Sequence, residues 1–148
     1  MIPVPTPPGA HLEVVLDASV WVSREIATDS NHPAASAWIN GHLQGGGSFI
    51  EPAWLLPETA AAISRQISPQ DAAIALALLS RLRRRRVMRF LPMGATLMRD
   101  TVDIAANYRI RAGDAVYVAL ARQLSIPLVS FDSDHLTRVG SIITVIQP

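Results

Sequence analysis

Ile126-Pro127-Leu128-Val129-Ser130-Phe131-Asp132 is an apolar run that reads as a buried strand and then stops in acid. Leu12-Glu13-Val14-Val15-Leu16-Asp17 does the same near the other end of the chain. Burying a charge is costly unless it is paired or bound to metal. One such strand end is an accident of composition; two point to a site. Between them, short aliphatic runs alternate with helical patterns, which predicts an α/β fold with a mainly parallel sheet covered on both faces. In sheets of that kind the functional site lies at the carboxyl ends of the strands, where Asp17 and Asp132 fall.

The intervening elements follow from local chemistry. Ser19 to Ala27 reads as a helix, and Asn31-His32-Pro33 as the start of another, with Pro33 at its first position. Gln44-Gly45-Gly46-Gly47-Ser48 is a break before a short strand at Phe49-Ile50. Pro52 reads as opening a helix toward Ile67, with a kink at Pro57 unless the helix begins there. Ser68-Pro69-Gln70-Asp71 supplies an N-cap, a proline at N1 and an acid in the first turn. The helix that follows runs to about Arg85 and is apolar on every side from Ala72 to Leu79, which predicts burial on two faces, one against another subunit. Val87 to Leu91 is a strand, and Thr96 to Tyr108 a helix with Leu97, Val102, Ile104 and Ala105 inward. Gly113-Asp114 introduces a helix to Leu124, Leu128 to Phe131 is a strand, a helical turn spans Asp134 to Val139, and Ile142 to Ile146 is a last strand.

With 148 residues, 49% of them hydrophobic and 17% charged, the chain suits one packed domain that buries roughly 70% of its unfolded surface. Residues 1–11, with four prolines, read as an extended N-terminal extension, and residues 12–148 as a single domain. No apolar run reaches the roughly 18 to 20 residues of a membrane span, and no basic residue precedes Arg24. A cytoplasmic location is the expectation. The absence of cysteine excludes disulfides, thiolate nucleophiles and cysteine-ligated zinc. All 13 basic residues are arginine, so no P-loop lysine, Schiff base or Ser-Lys dyad is available. Net charge is only +1, so attraction to nucleic acid must come from local patches.

Two further acids stand in apolar surroundings: Glu58, among Leu55, Leu56 and Ala60 to Ala62, and Asp114, among Ala112, Ala115, Val116 and Val118. Singly, Asp17, Asp132 and Asp114 have an ordinary reading as helix caps or first-turn acids. Glu58 has the poorest such reading, although Arg65 or Arg111 is available to approach it. Should the four converge on one sheet edge, their repulsion at neutral pH requires a cation or protons to compensate. An all-oxygen donor set selects hard ions, Mg²⁺ or Mn²⁺, and such a site suits phosphodiester hydrolysis by an activated water. His11, His32 and His42 lack ligand spacing, and His135 reads as a surface residue.

In order along the chain, Leu16-Asp17-Ala18-Ser19, Pro52 with Glu58 and Ala62, Arg111-Ala112-Gly113-Asp114-Ala115 with Tyr117-Val118-Ala119-Leu120-Ala121, and Leu128-Val129-Ser130-Phe131-Asp132 resemble the acidic motifs of PIN domains. The closest likeness is to the VapC-type ribonuclease toxins of bacterial toxin–antitoxin pairs, from Leu12 to Ile146. The resemblance implies a three-layer α/β/α sandwich around a five-stranded, mainly parallel sheet. It also implies Mg²⁺- or Mn²⁺-dependent endoribonuclease activity, a homodimer, and a cognate antitoxin as partner. By motif position it makes Asp17, Glu58, Asp114 and Asp132 the metal-binding, catalytic acids. Ser130 is then a hydrogen-bonding neighbour of a carboxylate or water, and Ser19 a residue that orients Asp17. Asp134 is read as capping the helical turn after it. Pro57 beside Glu58 and the proline-rich extension depart from the family pattern.

Two other functions compete. A receiver-like signalling domain also gathers acids at strand ends, but depends on a lysine that this chain lacks. A PIN fold that is catalytically silent and only binds a partner is the stronger rival. The dense basic run Arg81-Leu82-Arg83-Arg84-Arg85-Arg86, with Arg89, reads as a solvated helix end complementing the dipole, as a phosphate contact, or as a dock for an acidic antitoxin tail. With only eight aromatic residues, an extended base-stacking platform is disfavoured, and folded RNA read by shape and phosphates is the expected substrate form.

Overall fold

A computed structural model of the chain describes residues 12–132 and 137–148. The N-terminal extension, and with it His11, lies outside them, as do Asp134 and His135. Five strands, β1 (Glu13–Leu16), β2 (Ser48–Pro52), β3 (Met88–Leu91), β4 (Leu128–Val129) and β5 (Val145–Ile146), form one sheet in the order β3-β2-β1-β4-β5. Every pairing is parallel. Six helices connect the strands: α1 (Ala18–Glu25), α2 (His32–Gln44), α3 (Leu55–Gln66), α4 (Pro69–Arg84), α5 (Ala95–Tyr108) and α6 (Ala112–Leu124). A helical turn follows at 137–139. The expected three-layer α/β/α sandwich with a five-stranded parallel sheet is the observed fold. Among the described residues no helix is long and apolar enough to cross a membrane.

The sheet centre is β1, whose Val14, Val15 and Leu16 are fully buried, as a strand covered on both faces requires. Against it lies α6, buried without interruption from Ala115 to Ala121. A helix apolar all round belongs in the middle of a structure, and α6 is that helix. By contrast α4, expected to be buried on two faces, turns Ala72, Ala75, Leu79 and Leu82 inward and leaves Ile74 65% exposed. Among the described residues nothing covers Ile74 on its outer face. Val102 of α5 also points outward at 65% exposure, against expectation, while Leu97 and Ile104 are buried. The packing stripe of α5 is narrow because α5 lies on the outside of the molecule, with α6 as its main neighbour.

The local signals act largely as read. Ser68 caps α4, its hydroxyl accepting from Asp71 N at 3.0 Å. Pro33 sits in the first turn of α2, one residue after its start at His32. Pro52, however, ends β2 rather than opening a helix. The helix starts at Leu55, which puts Pro57 in its first turn, where a missing N–H leaves no bond unmade. The last two strands are shorter than expected, although Ser130 N still donates to Ile146 O at 3.0 Å, one residue past β4.

Candidate active site

Where β1 and β4 lie side by side, the chain departs in opposite directions along the sheet, toward β2 and toward β5. That is the topological switch point, the crevice where parallel sheets hold ligands. Asp17 follows β1 directly, and Asp132 follows β4 with Ser130 and Phe131 between. Asp17 is only 4% exposed. Its Oδ1 accepts from Ser19 N at 3.2 Å, capping α1, and its Oδ2 accepts from Ser130 Oγ at 2.9 Å. Ser130 Oγ in turn accepts from Asp132 N at 3.0 Å. One serine therefore ties both strand ends together. The capping reading and the site reading of Asp17 are both true of the same carboxylate.

Glu58 and Asp114 approach from the first turns of α3 and α6. Tyr117, one turn along α6 from Asp114, donates its hydroxyl to Glu58 Oε2 at 2.5 Å. Burial pushes the Glu58 carboxyl above the usual carboxylate range, the Tyr117 hydrogen bond opposes this, and the charges of Asp17 and Asp114 push it further up. Arg111 Nε donates to Asp114 Oδ2 at 3.2 Å, with the arginine side chain 86% exposed. The Arg111 guanidinium is held more firmly charged, chiefly by Asp114, with smaller contributions from Asp132 and Asp17. All four acids line one cavity of about 880 Å³, together with Arg65 and Arg111. Neither arginine pairs with Glu58.

The convergence is looser than the expected few ångströms. Among the described residues no three acids or histidines stand close enough to form a ready metal-ligand group. Three of the acids are held by different neighbours: Asp17 by Ser130, Glu58 by Tyr117 and Asp114 by Arg111. Carboxylates facing one another across a cavity repel, so separate partners hold them apart.

One acid at this end of the sheet was not anticipated. Glu51, on β2 beside β1, is fully buried; its Oε1 accepts from Leu16 N at 2.7 Å and from Trp21 Nε1 at 3.5 Å. Its Oε2 has no hydrogen-bond partner among the described residues. Burial raises this carboxyl well above its ordinary value, the hydrogen bonds from Leu16 and Trp21 oppose that, and the Asp17 charge adds to it. Burial thus favours the neutral form of Glu51, and its Oε1 fixes the backbone one residue before Asp17. Its one sequence signal was the pattern already seen twice, an acid closing the apolar run Phe49-Ile50.

The sequence profile of the PIN domain family matches residues 14–141. This chain belongs to the PIN domain family. Among solved structures, this PIN domain resembles VapC20 of Mycobacterium tuberculosis, a Sarcin-Ricin loop cleaving toxin. The identity is 21% and the TM-score 0.71, over 90% of this chain and 98% of that one. It also resembles VapBC2 of Rickettsia felis bound to a promoter DNA fragment, at 11% identity and a TM-score of 0.68 over 91% and 98% of the two chains. DNA-bound VapBC of Salmonella typhimurium is a third, at 14% identity and a TM-score of 0.64 over 92% and 98%. At these identities the likeness is one of fold. No curated protein matches the chain by sequence.

The donor chemistry of the cavity fits a divalent ion. Its four carboxylates offer oxygen alone, the set that hard cations take; after burial, the charges of Asp17 and Asp114 also raise Glu58, and that repulsion is what a cation would relieve.

Proposed function

We propose that this PIN domain is an Mg²⁺- or Mn²⁺-dependent endoribonuclease and the toxin of a cytoplasmic toxin–antitoxin pair. The observation that carries the reading is the meeting of Asp17, Glu58, Asp114 and Asp132, from four separate elements, around one cavity at the switch point of the sheet. These acids would hold the ion, which when bound supplies an acidified water and neutralises phosphate charge. The protein's own groups set the geometry. Ser130 keeps Asp17 and the segment before Asp132 in register, and Tyr117 fixes Glu58 while favouring its charged form. Arg111, exposed beside Asp114 at the cavity mouth, would offer a cation to a phosphate oxygen. Support for a cognate antitoxin and for a homodimer comes from outward-facing apolar side chains, among them Ile74, Val102 and Trp54.

The decisive assay is Mg²⁺-dependent RNA cleavage by the purified protein, beside Asp17→Asn and Asp114→Asn. Both substitutions are expected to abolish cleavage and leave the fold intact. Cleavage that survives in EDTA, or in both variants, would remove the metal-nuclease reading. The silent binding module is favoured by the Arg111–Asp114 ion pair, and complete inactivity with both metals would establish it.

A further inference from the structure

Six of the nine residues from Arg81 to Arg89 are arginine, and all six are exposed. Among the described residues none of them pairs with a carboxylate; the one side-chain bond is from Arg84 Nη1 to Ser80 Oγ at 3.2 Å. Complementing the α4 dipole accounts for the arginines of its last turn. It does not account for Arg86, which lies past the helix end, or Arg89, which lies on β3.

Arg86 also occupies a costly position. The end of α4 is a Schellman motif, with Arg86 N donating to Arg83 O at 3.0 Å and Val87 N to Leu82 O at 3.2 Å. In that motif Arg86 takes the left-handed conformation, φ 60°, which glycine adopts freely and side chains disfavour. An arginine placed there, beside five others, is unfavourable for the fold by conformation and by charge.

The patch lies at the amino end of β3, whereas the acids lie at the carboxyl ends of parallel strands. Met88 is level with Phe49 and Phe49 with Val14. Arg86 and Asp17 are therefore five residues and two strands apart, about 20 Å. A phosphate at the cavity cannot touch the patch.

Resting on the ribonuclease reading, we propose that the Arg81–Arg89 surface is a second, remote phosphate-binding site that grips the backbone of structured RNA away from the bond to be cut. Guanidinium forks match phosphate oxygens. Protein-binding surfaces centre on apolar and aromatic side chains, and here Leu82 and Met88 are buried and Val87 half-buried. A purely cationic surface without an aromatic platform fits a phosphate backbone rather than unstacked bases or a protein.

The test is binding of a paired-stem hairpin RNA by wild-type protein in EDTA, where no cleavage occurs, over a range of salt. A variant with Arg83, Arg84 and Arg85 all changed to Gln is expected to bind at least tenfold more weakly. The slope of log affinity against log salt should shrink by about 2 to 3. Arg86→Gly should raise the melting temperature and yet weaken RNA binding, opposite signs that no purely structural role produces. In cleavage of the same hairpin with Mg²⁺, the triple variant should raise KM and leave kcat unchanged. An unaltered salt slope in the variants overturns the proposal, and cleavage that persists with that slope leaves the nuclease reading standing. Arginine-dependent binding without any cleavage does the reverse. Retained RNA affinity with arginine-dependent capture of polyglutamate also overturns it, in favour of an acidic protein segment.

Discussion

Replacing Glu51 tests whether this buried acid beside β1 is structural. Glu51→Ala deletes the acceptor that Leu16 N–H reaches at 2.7 Å in a fully buried place. A buried donor left unpaired costs about 1–3 kcal/mol. The one side-chain methylene that alanine lacks adds about 0.8 kcal/mol. The alanine variant should therefore lose about 2–4 kcal/mol, which at roughly 2–4 °C per kcal/mol for a chain of this size lowers the melting temperature by about 4–16 °C. Glu51→Gln keeps an amide oxygen for Leu16 N and Trp21 Nε1 and removes the titration. The Glu51 carboxyl has its folded pKa raised. Its neutral form therefore contributes stability that is complete below the unfolded value of about 4.3 and is lost as pH rises through the folded value. Relative to wild type, the Gln variant should gain stability as pH rises. The assay is urea unfolding followed by circular dichroism from pH 5 to 9. A Gln variant as unstable as the Ala variant, or a gap from wild type that stays flat with pH, would refute the reasoning.

Further expectations concern the cavity and its surroundings. Tyr117→Phe removes the hydrogen bond that favours the charged form of Glu58, so the acid limb of the Mg²⁺-dependent pH–rate profile should move to higher pH. Arg111→Gln removes the cation that occupies Asp114. Calorimetric titration with Mn²⁺ should show tighter binding with no change in melting temperature. Asp17→Asn should keep the α1 cap, since asparagine caps as well as aspartate, whereas Asp17→Ala should lose about 1 kcal/mol by thermal unfolding. A Cβ on Gly47 would overlap the His42 ring, which stacks on Trp38. Gly47→Ala should therefore cost about 1–3 kcal/mol, read by the same method.

The parts of the fold legible in the sequence were those fixed by short-range chemistry. Asp17 at the end of an aliphatic run, Ser68-Pro69 at a helix start and Gly113-Asp114 in the first turn of α6 each carry their own signal. What escaped was decided by neighbours distant in the chain. Glu51 was passed over between the short strand at Phe49-Ile50 and Pro52, because its burial comes from β2 lying beside the central β1. Val102 fits an inward periodicity, but α5 has a packing partner on one side only. The four site acids were legible as residue types in suspicious surroundings. The holders of three of them, Ser130 for Asp17, Tyr117 for Glu58 and Arg111 for Asp114, depend on side-chain directions that no spacing specifies.

The hydrogen bond from Ser130 Oγ to Asp17 Oδ2 joins residues 113 positions apart. β1 is made well before β4, its neighbour in the sheet. A growing polypeptide therefore carries Asp17 with half of the crevice missing until β4 has followed it off the ribosome.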